Sequence, residues 1–164
     1  MKGISRALGA LVVVWLTTMA AAATLAMQRK RTAPPLPASD ADEVQLTAIF
    51  DGLEYRSTAT AFRGGTIECW FGGGSIDLRG ATLHPDGAHL QTTTVFGGGQ
   101  ILVPEHWVVE TNLVGIGGAG DARTSAKTVD EAPLAPRLVI DGVVAFGGFG
   151  IMSSDARPEV VATA

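Results

Sequence analysis

Three histidines could bind a metal or transfer a proton: His84, His89 and His106. A metal site needs at least three donors that converge on the ion at about 2 Å. His84 lies in the sequence His-Pro-Asp-Gly, which predicts a solvated turn, and His89 precedes Leu90 in a strand pattern that allows it to face outward. We therefore expect no metal site among the histidines.

One acid and one base are adjacent, Glu105 and His106, and they admit two interpretations. They could form an acid–base pair, or they could be the polar edge over a packed Trp107. Cys69 stands in an apolar strand pattern without a basic neighbour to lower its pKa, so we expect a buried, unreactive thiol. A single cysteine also excludes an internal disulfide. The sequence predicts no catalytic, cofactor-binding or metal-binding residue, and hence no enzyme.

Runs of glycine resemble the loops that hold phosphate groups, but their context differs. No Gly-Lys-Ser/Thr follows them, and no helix is expected after them. Corners between strands explain them better, since glycine permits positive φ and close approach of neighbouring backbones. The predicted corner glycines are Gly72, Gly73, Gly97, Gly98, Gly117, Gly118, Gly147 and Gly148.

These glycines belong to a motif, Phe-Gly-Gly, that recurs along the chain. Clear copies begin at Phe71, Phe96 and Phe146, and weaker ones at Phe50 and Ile116. The five anchors lie 21, 25, 20 and 30 residues apart, within the window of stacked structural repeats. Stacking the corners on each other would place the four phenylalanines in a ladder, and we expect Phe71 and Phe96 to be buried in it.

The elements that would carry this motif are β-strands. Residues 44–50, 66–71 and 88–95 alternate or are β-branched, and turn sequences separate them. The predicted fold class is therefore all-β, a β-solenoid-like stack of repeats with equivalent strands parallel. A β-sandwich or roll with regular hairpins is the alternative. Residues 122–136 break the period, which indicates either a functional loop or a tolerated insertion.

The N-terminal region has a different composition. Residues 7–27 carry no charge and are long enough to cross a bilayer as a helix. The length of this run and the Arg-Lys-Arg that follows it favour a retained single-pass anchor in the cell membrane, whereas a signal peptide cleaved after Ala23 is the alternative. Basic residues balance on the two sides, so the positive-inside rule does not orient the span.

Four regions follow from these patterns: a membrane anchor at 1–31, a stalk rich in proline and acid at 32–43, the repeat domain at 44–154, and a loose tail at 155–164. Beyond the anchor, seven Lys and Arg residues stand against 16 acidic ones, a formal charge of −9. That sign disfavours binding to nucleic acid, because such binding rests on neutralising phosphates. It also disfavours anionic headgroups.

The order of the motifs resembles the C-terminal domain of the LiaF family, the cell-wall-active antibiotic response proteins of bacteria. The matching segments are Ala-Ile-Phe-x-Gly-Leu-Glu at 48–54, Phe-Arg-Gly-Gly at 62–65, Phe-Gly-Gly-x-x-Ile-Asp-Leu-Arg at 71–79, Val-Phe-Gly-Gly at 95–98, Val-Pro-Glu-His-Trp at 103–107 and Val-Ala-Phe-Gly-Gly at 144–148. The family usually has Val-Glu after Phe-Gly-Gly, whereas Gly74-Ser75 and Gly99-Gln100 stand here. This chain also has one candidate span, where the family's regulators have several.

The resemblance implies a membrane-associated, non-enzymatic protein that acts in the response to cell-envelope stress by contacting a protein partner. It implies no catalytic residues and no cofactor. The residues leave a second hypothesis open, in which the domain is a structural element that self-associates through the ends of its β-stack.

Overall fold

The computed structural model of the chain describes residues 2–116, 123–124 and 136–153. The chain divides into two compact units, one formed by residues 1–33 and the other by residues 34–164. The predicted corner glycines Gly117 and Gly118, most of the predicted loop and the predicted tail lie outside the described residues.

The first unit is one helix, α1 (Lys2–Thr32). Its stretch Leu11–Thr32 has a mean hydropathy of 1.7 and is apolar and long enough to cross a membrane. Its apolar side chains, such as Leu11 and Trp15, are exposed. The hydroxyl of Thr17 donates to the carbonyl of Val13 at 3.0 Å, so this polar group is satisfied within the helix, as a hydrocarbon environment requires.

The second unit is a β-solenoid, which confirms the predicted fold class. In the described ranges, ten strands form two parallel five-stranded sheets. The strands are β1 (Glu43–Ile49), β2 (Gly52–Arg56), β3 (Gly64–Trp70), β4 (Gly73–Asp77), β5 (Ala88–Val95), β6 (Gly98–Val103), β7 (Val108–Ile116), β8 (Arg123–Thr124), β9 (Arg137–Ala145) and β10 (Gly148–Ser153). The odd-numbered strands make the first sheet and the even-numbered strands the second, so each consecutive pair is one rung.

The core lies between the two sheets and follows from the alternation in the sequence. Val44, Leu46 and Ala48 of β1 are buried, while Gln45 between them is exposed. In the second sheet, one buried row contains Leu53 and Phe149 with Gly74 and Gly99 between them in register. A Cβ on Gly99 would lie 3.2 Å from the ring of Phe149. Gly74 and Gly99 thus make room for larger neighbours.

A third, irregular side closes the first three rungs. The amide of Phe62 donates to the carbonyl of Thr82 at 2.8 Å, and Phe62 forms a parallel bridge with Leu83. Phe62 and Trp107 are both buried, with ring centroids 6.5 Å apart. These segments explain why the repeat is longer than two strands and a corner.

The rungs are not stacked in chain order. The first sheet runs β1-β3-β5-β9-β7 and the second β2-β4-β6-β10-β8. The last rung in the sequence, β9 and β10, is inserted between its two predecessors, and β7 and β8 stand at the end of the stack. Simple repetition from Phe96 to Ile116 to Phe146 predicts the opposite order. Ile116 is also not equivalent to the phenylalanines, because it pairs with Ala145.

The predicted ladder of Phe50, Phe71, Phe96 and Phe146 is confirmed. Successive ring centroids are 4.9, 5.2 and 4.7 Å apart, and the planes differ by 10° or less. The prediction that the middle rings are buried is wrong, since Phe71 and Phe96 are only half-buried. The ladder lies on the outer corner of the solenoid.

The prediction that glycine supplies the positive φ at these corners is also wrong. The four phenylalanines themselves have φ between 50° and 53°, and none of the described corner glycines is left-handed. The predicted close approach, in contrast, is confirmed. A Cβ on Gly72 would overlap the carbonyl oxygen of Asp51, which accepts a hydrogen bond from the amide of Gly73 at 3.3 Å. These bonds between rungs hold the corners together.

Two boundaries differ from the sequence expectation. Glu43, the end of the predicted stalk, is the first residue of β1, and the preceding residues bind the first rung. The amide of Thr58 donates to the carbonyl of Ser39 at 2.6 Å, and the hydroxyl of Tyr55 donates to the carbonyl of Ala38 at 2.9 Å. Within residues 122–136, β8 pairs with β10, so this segment includes part of the stack.

Candidate functional site

The three histidines lie in three different environments. His84 is not a solvated turn residue, because its side chain is only 18% exposed and its Nε2 lies 2.7 Å from the guanidinium of Arg63. The ring thereby fastens the turn to the first rung. As the sequence allowed, His89 faces outward from β5. His106 is exposed beside Glu105, over a buried Trp107, as the second interpretation of this pair expects.

A polar groove of about 470 Å³ lies beside His84 and His89. Both signs of charge line it: Glu43 and Asp86, and Arg63 and Arg137. Glu43 and Arg137 lie on β1 and β9 of the first sheet, whereas Arg63 directly precedes β3 and Asp86 lies in the turn before β5. We call this region the polar groove. Its mixed charge suits the polar surface of a protein better than a single anion.

A short polar network joins the last three rungs of the first sheet. His89 on β5 hydrogen-bonds to Asp141 on β9, and the side-chain amide of Asn112 on β7 donates to the other oxygen of Asp141 at 2.9 Å. The hydrogen bond from His89 holds the pKa of Asp141 below its usual range, and the one from Asn112 adds to this. Within the described ranges, no hydroxyl or thiol is hydrogen-bonded to His89.

The prediction that Cys69 is buried is confirmed. The residue is 1% exposed, and burial raises its pKa to about 11. At neutral pH the sulfur is therefore protonated, and the thiolate needed for nucleophilic attack is absent.

An ion cluster on the second sheet was not predicted from the sequence. The guanidinium of Arg79 makes two 2.8 Å hydrogen bonds to the carboxylate of Asp77, and Arg56 lies 3.4 Å from it. The side-chain hydrogen bonds that Arg79 donates hold the pKa of Asp77 low, and the same bonds raise the pKa of Arg79. A polar residue at position 77 fits the alternation of its strand, so Asp77 by itself gave no signal of an ion pair. Only the arginine two residues later could have indicated it.

This cluster borders a second groove of about 520 Å³, which Glu54 and Ser75 also line. The bonds between Arg79 and Asp77 lie within one rung, and the contact from Arg56 on β2 is the one that reaches the neighbouring rung. In the described part of the chain, no three His, Cys, Asp or Glu side chains converge as a metal would require.

The far end of the stack carries an apolar patch. Val114 is 60% exposed and Ile116 51% exposed on β7, and Val143 on the neighbouring β9 is also exposed. Phe146 ends the aromatic ladder beside them and is 52% exposed. We call these four residues the end patch. Sequence reasoning did not identify it, because the patch exists only once β9 is inserted beside β7.

Searches against protein families, curated proteins and solved structures find no match to this chain.

Proposed function

We propose that this chain is a non-enzymatic, membrane-tethered protein of the bacterial cell envelope that acts by binding a protein partner. One observation carries the proposal: a helix that is apolar and long enough to cross a membrane precedes a β-solenoid. A membrane span retained at this position would keep the solenoid near the bilayer, where it meets partners at high effective concentration.

The surface of the solenoid supports a protein as the partner. The region beyond the helix has a formal charge of −9, which disfavours nucleic acid and anionic lipid. The polar groove presents arginine and carboxylate side chains together, an arrangement that complementary charges on a protein surface can recognise. We therefore assign partner binding to the polar groove.

The resemblance to the LiaF family supports a role in the response to envelope stress. A rigid sensor or regulator held beside a membrane signalling protein would need no chemistry of its own. Regulation would then depend on two properties together, membrane attachment and an intact polar groove.

The proposal is tested by comparing cells that carry no protein, the full-length protein, or residues 34–164 without the helix. We expect the envelope-stress response to differ from the null strain only with the full-length protein. Equal responses in all three strains would remove the regulatory role.

A matched pair of variants tests the groove. Arg137→Glu reverses a charge in the polar groove, whereas Arg56→Glu reverses an exposed arginine on the other sheet. We expect Arg137→Glu to abolish the response and Arg56→Glu to retain it, with both proteins present in the membrane fraction at normal levels. The opposite pattern would move the binding surface to the second sheet.

A further inference from the structure

The turn before β5 carries a histidine whose two ring nitrogens have different neighbours. The side chain of His84 is 18% exposed. Its Nε2 lies 2.7 Å from the guanidinium of Arg63, the residue directly before β3. Its Nδ1 lies 3.2 Å from the backbone amide of Asp86 and 3.5 Å from the carboxylate of the same residue. The ring is therefore placed between one positive and one negative side chain.

The contact with Arg63 fixes which ring nitrogen carries the proton. A guanidinium has only N–H donors and no acceptor, so Nε2 must accept the hydrogen bond with its lone pair. In a neutral imidazole the other nitrogen then holds the proton. On that side the carboxylate of Asp86 can accept it, whereas the amide of Asp86 makes no hydrogen bond to this tautomer. The structure thus holds His84 as the neutral Nδ1–H tautomer.

Protonation of the ring removes the contact with Arg63. An imidazolium donates from both nitrogens, so its Nε2–H would point at the N–H groups of a second cation at the same 2.7 Å separation. The carboxylate of Asp86 does not compensate, because its side chain is 89% exposed and screened by solvent. Histidine is the side chain whose charge ordinarily changes between about pH 5 and 8. The contact therefore exists for the neutral ring and is lost in mild acid.

We propose that His84 and Arg63 form a pH-sensitive latch at the polar groove. At neutral pH the ring holds the guanidinium, and in mild acid the guanidinium turns away from the ring into the groove. The latch closes again when the ring loses its proton.

The charged groups that face the latch decide where Arg63 goes. Besides Asp86 in the turn, which stays with the imidazolium, they are Glu43 on β1, His89 on β5 and Arg137 on β9. Arg137 repels the guanidinium, and so does His89 once it is protonated. Glu43 attracts it and lies beside it, since the strand register aligns Glu43 with the residue after Arg63. We therefore expect the released Arg63 to pair with Glu43.

The change is confined to side chains, because backbone hydrogen bonds hold the turn without the ring. The amide of His84 donates to the carbonyl of Phe62 at 3.0 Å, and the amide of Gly87 donates to the carbonyl of His84 at 2.8 Å. Acid therefore alters the charge pattern of an intact groove. Only the consequence for partner binding, which the latch would regulate, rests on the proposed function.

Selective 15N labelling of the three histidines in the full-length protein tests the latch directly. Nitrogen chemical shifts distinguish a protonated ring nitrogen from one with a lone pair. At about pH 8, where imidazole is neutral, we expect a protonated Nδ1 and an unprotonated Nε2 on His84. Arg63→Leu should remove this preference, whereas Arg137→Leu, which removes the other arginine of the groove, should retain it. A protonated Nε2 in the wild type, or an unchanged tautomer in Arg63→Leu, would overturn the proposal.

Melting temperatures at two pH values give the second test. His84→Gln keeps an acceptor oxygen for Arg63 but does not titrate, and His89→Gln removes the other histidine of the groove as the matched control. Between about pH 7.5 and 5.5, His84→Gln should lose about 2–4 °C less than the wild type. His89→Gln should lose at least as much as the wild type, because its latch is intact. Equal losses in His84→Gln and the wild type would contradict the latch. Neither test involves a partner, so the outcome is independent of the stress-response experiment.

Discussion

Rungs inside the stack and rungs at its ends differ in which residues their corners can accept. At the corner, Gly72, Gly97 and Gly147 each lie over the carbonyl of the preceding rung, where a Cβ would not fit. The first rung has no rung before it, and the equivalent residue is Asp51. The motif is therefore strict only where one backbone rests on another. The irregular copies mark the ends of the stack.

The largest difference between rungs inside the stack and rungs at its end should appear in the stability lost when a side chain is truncated. Ile101 is fully buried between the sheets, whereas Ile116 is 51% exposed on β7. Ile101→Ala should lower the free energy of unfolding by about 2–5 kcal/mol, and Ile116→Ala by less than about 0.5 kcal/mol. Urea denaturation of the two variants measures both values. Similar losses would mean that the end of the stack is covered.

Two adjacent glycines allow the same comparison to be made for backbone contacts between rungs. A Cβ on Gly147 would overlap the carbonyl oxygen of Gly97, but a Cβ on Gly148 has nothing within 4 Å. Gly147→Ala should therefore destabilise the protein by about 3 kcal/mol through forced backbone displacement. Gly148→Ala should leave the melting temperature nearly unchanged. A neutral Gly147→Ala would show that the rungs are not in close contact at this corner.

The aromatic ladder offers a smaller contrast. Phe96 stacks on two rings and Phe146 on one. Because both are partly exposed, Phe96→Ala should cost about 2 kcal/mol and Phe146→Ala about 1 kcal/mol. Phe96→Gly loses the same ring but relieves the positive φ, so it should be more stable than Phe96→Ala by about 1 kcal/mol. Thermal melting of the three variants checks this order, and a less stable Phe96→Gly would contradict the left-handed corner.

The smallest expected effect is the dependence of stability on acidic pH. The pKa of Asp77 is lowered in the folded protein, so the stability that it contributes is present above its ordinary value of 3.8 and is lost as pH falls through the lower folded value. Asp77→Asn should remove this acid-dependent loss of melting temperature, whereas Asp141→Asn, in a more exposed pair, should remove less. A steeper acid loss in Asp77→Asn than in the wild type would reverse the sign that we assign.

Local patterns in the sequence predicted the fold class, the ladder and the close corners, because each arises from spacing along one rung and its repetition. The alternation of Val44, Leu46 and Ala48 predicted the buried row of β1 in the same way. These features depend on the rung itself or on contact between similar neighbours.

The order of the rungs could not be predicted, because it depends on which strands pair. Nothing in the spacing of Phe96, Ile116 and Phe146 indicates that β9 lies between β5 and β7. The candidate surfaces depend on that order. The network of His89, Asp141 and Asn112 and the end patch both require the insertion, and so both were missed.

The insertion of β9 between β5 and β7 is therefore the central claim, and a disulfide trap tests it most directly. In the outward row, Thr93 is aligned with Val143, and Val143 with Val114. Neighbouring parallel strands lie about 4.8 Å apart, within the Cα separation of about 4.4–6.8 Å that a disulfide tolerates. Strands two rungs apart lie beyond that separation.

The trap uses a Cys69→Ala background and intramolecular disulfide formation, read by the mass of alkylated monomers. Thr93→Cys combined with Val143→Cys should oxidise to an internal disulfide. Thr93→Cys combined with Val114→Cys should keep both thiols free. A disulfide in the second pair and none in the first would show that the rungs follow chain order and would contradict the structure described for the stack.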